Sequence, residues 1–412
     1  MSTITIRNIG PVKDVTFDLN KVNVIMGPQG SGKSTIAKII SFCTWLNKVH
    51  AIKPFWLMEN QDIKLLDSLK KYHRLGDEYF SEDSLIEYNG TSISFSYNKD
   101  GKKKVSVGLT GSREIKNRKV IYIPAERNFA SVIPNLRNYT EDNDNIQDFI
   151  KNWYEAKRKY NESHSLRILN LGINFYNVEN NDIDRLALEN GKDIRLQIAS
   201  SGLQSLVPLV TLFDYIARGI FKESRPMSVE ETDQLARQIN QMIKLRDASN
   251  NSESKEFDSE NLSRLYDLLI SKNYSSSTLI IEEPEQNLFP DTQKELIYYM
   301  LQLLNETDRD HSLIMTTHSP YILYALNNCM MGYLVKDYMP DYEKDELKSK
   351  NSWINPEFVS VWEIEQGKGT LRPIKNNKTG TISKHYFNAI MNEVMEEYHD
   401  MLTYLKPENY EE

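Results

Sequence analysis

The chain has 412 residues, room for two to three domains of roughly 150 residues each or for one elaborated α/β domain. Apolar residues make up 40% and charged residues 26%, so a large core is available, and a net charge of −8 argues against an overall electrostatic grip on nucleic acid. The two cysteines, Cys43 and Cys329, lie far apart and outside metal-ligand spacing, which excludes a disulfide frame and points to a reducing compartment.

From Met1 to Arg7 the sequence alternates like a strand and lacks the apolar run of a signal peptide. No stretch approaches the ~18 uninterrupted apolar residues of a membrane span, so the expected location is cytoplasmic, with no membrane partner. Ile4 and Ile6 alternate, as do Val15, Phe17 and Leu19, and residues 22–26 form an apolar run. A Gly-rich turn follows, then the apolar helical stretch Thr35 to Ile40.

That turn, Gly27-Pro28-Gln29-Gly30-Ser31-Gly32-Lys33-Ser34, matches G-x-x-x-x-G-K-[ST] in full and lies between a strand and a helix, the context a phosphate-binding loop needs. Glycines let backbone N–H groups converge on phosphate oxygens, and the following helix offers its positive end. Lys33 supplies a charge between the β- and γ-phosphates, and the Ser34 hydroxyl suits Mg²⁺. Residues 27–35, with Thr35, are therefore expected to bind ATP or GTP.

Residues 48–118 read as an insertion. Ser84 to Ser96 alternates, and Asn98-Lys99-Asp100-Gly101 supplies a turn before Val105 and Val107, so a hairpin is expected, with Lys102, Lys103 and Lys104 on its solvated end. Residues 119–123 form a short buried strand that stops at Pro124. The insertion at 128–190 begins with a helix, Ile146, Phe149, Ile150 and Trp153 falling at helical spacing. Residues 166–198 are β-rich, with a hairpin turn at Asn190-Gly191. A further insertion at 222–270 holds a helix opened by the capping pair Ser228 and Glu231, then a polar loop over 247–260. Residues 340–412 are expected to hold strands and a last helix, whose stripe of Phe387, Ile390, Val394, Tyr398, Met401 and Leu405 reads as core.

Three later motifs choose among phosphate-loop proteins. Thr278-Leu279-Ile280-Ile281-Glu282-Glu283-Pro284-Glu285 is an apolar strand ending in adjacent carboxylates, which point in different directions. Glu282 suits the metal and Glu283 suits activation of the attacking water. Leu313 to Pro320 is another strand ending in a polar turn, with His318 at its tip, in reach of the γ-phosphate or the water. Ser200-Ser201-Gly202-Leu203-Gln204-Ser205 opens an apolar helix. Small residues at a helix start make a second anion site, which a head-to-tail pair of chains can bring to the partner's ATP.

The order phosphate loop, SSGLQS, IIEEPE, TTHSP resembles the ABC-type ATPases, most of all the soluble AAA-family branch with SMC, RecF and the overcoming-lysogenization-defect proteins. The resemblance covers residues 1–45, 119–127 and most of 195–340. It implies an α/β fold, a P-loop NTPase head with a mixed N-terminal sheet and a central, mostly parallel sheet flanked by helices, in one composite domain over 1–412. It also implies that Ser200, Ser201, Gly202 and Gln204 form the signature, that Glu282 and Glu283 are the Walker B acids, and that His318 is the switch histidine. Residues 284–290 are similar to the segment that meets the partner chain.

Tyr122 to Arg127 resembles a feature of stand-alone ATPases in phage-defence operons and stands near the Q-loop position, which assigns Glu126 and Arg127 to the nucleotide site. Glu282 replaces the usual Asp, no Gln marks the Q-loop, and the gap between signature and Walker B is long. The final ~75 residues carry no nuclease signature. The resemblance to the ATPase subunits of Septu and PARIS systems implies a homodimer or higher even-numbered oligomer, with ATP and Mg²⁺, that controls a separate effector encoded nearby. A DNA-repair ATPase like SMC or RecF is the alternative; a transporter's ATP-binding subunit is disfavoured by the insertions.

Overall fold

The computed structural model describes residues 2–52, 64–98, 104–109, 117–133, 136, 139, 144–222, 274–306, 308–383 and 385–404. The capping pair at Ser228 and Glu231, the polar loop at 247–260, Leu405, and Lys102 and Lys103 lie outside the described residues.

The opening alternation folds as expected into β1 (Ser2–Ile9) and β2 (Val12–Leu19), paired antiparallel with Ile4 opposite Phe17 and Ile6 opposite Val15. Every residue of β3 (Val22–Met26) is buried, and α1 (Lys33–Ile52) follows the Gly-rich loop. After α2 (Lys64–His73) come β4 (Phe80–Asn89), β5 (Ile93–Asn98) and β6 (Lys104–Leu109). The expected hairpin is β5–β6, with Asn98 opposite Lys104.

The described strands within residues 48–118 pair with the N-terminal strands rather than forming a sheet of their own. β4 pairs with β1, Tyr88 opposite Ile4, so one antiparallel sheet runs β2-β1-β4-β5-β6. An alternating strand looks the same whether it belongs to an insertion or to the parent sheet, and only pairing tells them apart.

β7 (Arg118–Ile123) leads to α3 (Asn145–Lys157), which buries Phe149, Ile150 and Trp153, three of the four residues read as its apolar face. Asp144 caps it by accepting from the Gln147 N–H. A small antiparallel sheet follows, with β8 (Leu166–Arg167), β9 (Ile173–Val178), β10 (Ile183–Leu188) and β11 (Asp193–Arg195) in the order β11-β10-β9-β8. Its turn at Asn190-Gly191 puts Gly191 at φ +74°, a conformation open to glycine.

The elements that follow and build the site are α4 (Ser201–Ala217), β12 (Ser276–Glu282), α5 (Pro290–Asn305), β13 (Ser312–Thr317), α6 (Pro320–Val335), β14 (Val359–Ile364) and β15 (Leu371–Pro373), with α7 (Tyr386–Leu402) at the C-terminal side. The central sheet runs β15-β14-β3-β13-β12-β7, parallel except for β15.

Successive residues of the central strands feed two different cores. Ile25, Tyr122, Ile280 and Ile314 face α1 and the N-terminal antiparallel sheet. Val24, Ile121, Ile123, Leu279, Ile281, Leu313 and Met315 face the side where α3, α4, α5 and α6 pack. Burial on both faces explains why these strands read as continuous apolar runs.

The C-terminal helix departs from expectation. α7 forms over the striped residues from Phe387 to Met401, yet none of its side chains is buried; Val394 is 56% exposed and Met401 59%. A helical apolar stripe records that something covers it, and says nothing about whether that cover is the same chain.

Candidate functional site

The parallel register lines up the carboxyl ends of four strands. Met26 of β3 lies opposite Thr317 of β13, Thr316 opposite Glu282 of β12, and Ile281 opposite Ile123 of β7. The loops leaving those ends carry the phosphate loop, the acidic pair, the histidine and the Glu126-Arg127 turn. Ligands of open α/β sheets bind outside this edge.

In the phosphate loop Gly30 and Gly32 take φ +72° and +104°, which side chains rarely adopt. A Cβ on Gly32 would lie 2.8 Å from Val12 Cγ2, whereas one on Gly30 would meet nothing within 4 Å. Gly32 is thus fixed by packing and Gly30 faces open space, where a phosphate would come. The Ser31 hydroxyl is buried without a hydrogen-bond partner, an atom that a phosphate oxygen would satisfy.

Lys33 opens α1 and is nearly buried. Its ammonium donates to the carbonyls of Gly27 and Pro28 at 2.8 Å each, and to Nδ1 of His318 at 3.3 Å. With Nδ1 accepting from a cation, the imidazole proton sits on Nε2, which donates to Glu283 Oε1 at 3.0 Å. His318 therefore bridges the loop lysine and the second acid. The hydrogen bond from His318 holds the Glu283 carboxyl below its usual range, ahead of the opposing effect of burial.

Burial lowers the Lys33 pKa to about 8, against the raising pull of Glu283, Glu285 and Glu282. A triphosphate prefers the protonated lysine. Above the free-site pKa, nucleotide binding must first take up a proton, so affinity weakens as pH rises through about 8 and is fully expressed below it. The dissociation constant for ATP should rise by about tenfold between pH 7 and pH 9, read by calorimetry in buffers of different ionisation enthalpy. A flat profile would mean that Lys33 keeps its full charge throughout.

Glu282 is buried at the end of β12, accepts from the Tyr122 hydroxyl, and shares a hydrogen bond with Ser34. Burial raises its pKa, with Lys38 pulling the other way. Among the described residues no group of three or more His, Cys, Asp or Glu side chains could hold a metal ion. A divalent ion here would lean on the Glu282 carboxylate, the Ser34 hydroxyl and the phosphates themselves, the sparse protein set that Mg²⁺ accepts. The bonded Ser34–Glu282 pair fits that role, and the ion would supply charge neutralisation between the phosphates.

Glu283 follows with φ +44°, left-handed for a non-glycine residue. That twist turns its side chain to His318 while Glu282 keeps to the Ser34 side. Beneath both lies Arg127, fully buried. Its Nε donates to Ser205 O at 3.1 Å, one terminal nitrogen to Pro124 O and Glu282 O at 3.4 and 2.9 Å, the other to Glu283 O and Pro284 O at 2.9 and 3.2 Å. All five N–H groups meet main-chain carbonyls, so a direct phosphate contact would break one of these bonds. Arg127, assigned to the nucleotide site from the sequence, is engaged with the main chain and ties the acidic strand end to the start of α4. Glu126 is exposed, close enough to Glu282 to raise its pKa.

The signature segment starts α4. Ser200 is the N-cap, its hydroxyl accepting from the Leu203 N–H, and Ser200 and Ser201 are both exposed. Gly202 is where the helix meets residues 284–290; a Cβ there would lie 2.8 Å from Asn287 O. Asn287 also donates to Ser205 Oγ at 3.2 Å, and Gln204 bonds back to Gln197 O at 2.8 Å rather than outward.

Glu285 went unassigned in the sequence. Its buried carboxylate accepts from the Thr317 hydroxyl at 2.8 Å and from the His318 N–H, fixing the turn that carries the histidine. Three carboxylates within four residues of one strand end were the available signal.

With this geometry in place, comparison with known proteins gives the lineage. The AAA ATPase domain family matches at residues 1–261 and 169–323. The chain belongs to the AAA ATPase domain family. Its fold is the P-loop NTPase, ABC-type α/β head expected from the motifs. Solved structures similar to this AAA ATPase include the SMC head domain from Thermotoga maritima, at 11% identity and TM-score 0.39 over 91% of this chain and 98% of that one. Another is the Smc head domain with an extended coiled coil, bound to the C-terminal domain of ScpA, derived from Pyrococcus furiosus, at 12% identity and TM-score 0.37 over 97% of this chain and 100% of that one. Among curated protein sequences none matches. No helix among the described residues is long and apolar enough to cross a membrane.

Proposed function

We propose that this AAA ATPase hydrolyses ATP in a head-to-tail pair of chains, each offering Ser200–Gln204 to the nucleotide bound by the other. The observation that carries the reading is the surface around the signature. Ser200 and Ser201 stand exposed beside Ile198, 74% exposed, with Val132 and Ile133 exposed nearby; the neighbouring residues 284–290 include Phe289, 75% exposed. Large apolar side chains around an open helix start suit contact with a second copy.

In this reading Glu283, held anionic by His318, takes a proton from the attacking water as the oxygen–phosphorus bond forms and the bond to the bridging oxygen breaks. Lys33 and the loop N–H groups hold the phosphates, and Ser34 with Glu282 holds Mg²⁺. The measurement is mass by light scattering. Glu283→Gln protein should double in mass on adding ATP, and Ser201→Arg in the same background should stay monomeric, since Ser201 faces solvent and its replacement leaves the fold alone. A mass indifferent to ATP in the Glu283→Gln protein would remove the paired arrangement.

The pairing serves to control a separate effector in anti-phage defence. The exposed part of the α7 stripe, Ile390, Val394, Tyr398 and Met401, supports this part, as surface available to a partner. Native mass spectrometry of the complex should find a second, stoichiometric protein with nuclease activity. Salt-dependent DNA binding with no such companion would favour the SMC- or RecF-like alternative.

A further inference from the structure

The signature helix α4 has a far end, 17 residues and ~25 Å from its serines. There it borders a cavity of about 480 Å³ that none of the motifs explains. Its charged lining is Lys159, Arg167, Asp214, Arg218 and Lys222, four Lys or Arg side chains against one carboxylate, in a chain whose net charge is −8.

That single carboxylate is already engaged. Asp214 accepts from the Tyr160 and Tyr299 hydroxyls at 2.8 Å each and pairs with Arg218 at 3.1 Å. Burial and the Asp214 charge hold both phenols protonated, so they remain donors. Three of the cations, Arg218, Arg167 and Lys222, are less well served. Arg218 makes one further ion pair, to Glu306 at 3.4 Å, and its Nε is buried with no hydrogen-bond partner. Among the described residues Arg167 and Lys222 have no carboxylate within ion-pair distance.

Cations at a helix C-terminus often do no more than complement its dipole. Arg218 and Lys222 fit that description; Arg167 does not. It reaches the cavity from β8, while Lys159 comes from the turn after α3, so three separate stretches of chain bring positive charge to one hollow. The volume lies in the range of small-molecule sites.

We propose that this cavity binds a phosphate-bearing small molecule of nucleotide size, at a site separate from the phosphate loop. Arg167 and Lys222 pair with its phosphates. The proposal stands apart from the paired-chain reading, since it concerns a face of one subunit.

The test uses tripolyphosphate as probe, titrated by calorimetry into the full chain. Lys33→Ala removes the phosphate-loop cation in one version; wild-type protein saturated with a nonhydrolysable ATP analogue blocks that site in the other. The expected result in both is one saturable site per chain. Replacing Arg167 and Lys222 together by Ala should raise the dissociation constant at least tenfold, while thermal unfolding and ATP binding at the phosphate loop stay as in the parent. No binding to the analogue-saturated protein overturns the proposal, as does binding that the double substitution leaves unchanged. Tight binding of a single-stranded oligonucleotide that tripolyphosphate cannot displace would also overturn it, by marking a nucleic-acid surface instead.

Discussion

Glu283→Gln is expected to lower ATP turnover by about 10²–10⁴-fold while leaving ATP affinity within a few-fold of the parent. Gln keeps the volume and an oxygen that can accept from His318 Nε2, so the 3.0 Å bridge to the imidazole, and through it to Lys33, survives. What it loses is the ability to accept a proton. The binding elements are elsewhere: the loop glycines, Lys33 and the Ser34–Glu282 pair. Single-turnover hydrolysis with excess protein reads the chemical step directly, and a filter or calorimetric titration reads affinity. Turnover within threefold of the parent would take Glu283 out of the base role. The next candidate would be Glu285, whose carboxylate is fixed to the histidine turn with one oxygen unpartnered.

His318→Ala separates two roles in the same chain. If the histidine mainly holds Glu283 anionic, its loss shifts the acidic limb of the pH–rate profile upward, because the hydrogen bond that depresses the Glu283 pKa is gone. The stabilised carboxylate form is present above the depressed pKa and lost as pH falls through it, so the deficit should be largest in mildly acidic buffer.

The parts of this site that were legible in the sequence are those where one residue type answers one local demand. Glycines at positive φ, a lysine at a helix start and a carboxylate at the end of an apolar strand are set by neighbours in the chain. β3, β12 and β13 were legible for the same reason, since strands covered on both faces carry apolar residues without interruption.

Pairing between distant segments was not legible. Nothing in Ser84 to Asn98 says that β4 sits beside β1, and nothing in the α7 stripe says that it faces outward. Arg127 shows the limit most clearly. The resemblance assigned it, with Glu126, to the nucleotide site; its partners are carbonyls from residues 124, 205 and 282–284, contributed by three regions of the chain.

That arrangement leads to the second large effect. Arg127→Leu fills similar space with apolar atoms but takes the arginine's donors from five carbonyls, of which Glu283 O keeps the Gln286 N–H, so up to four lose their side-chain donor with no such substitute. Each buried group left unsatisfied costs about 1–3 kcal/mol. Water and small main-chain shifts will recover some of them, so the net loss should be about 3–5 kcal/mol, in the range of the most damaging single substitutions. The denaturation midpoint should fall accordingly, with the slope unchanged.

Arg127→Lys keeps a cation with three donors instead of five, in a pocket shaped for a planar group, and should fall between parent and Leu. Stability alone does not distinguish a clamp on the catalytic strand end from ordinary core, so the Lys variant is also assayed below its own unfolding transition. A clamp predicts that turnover drops while ATP affinity is kept, because the displaced carbonyls belong to Glu282 and Glu283 and the phosphate loop is untouched. Parent-like turnover in folded Arg127→Lys protein would reduce the arginine to structural filling.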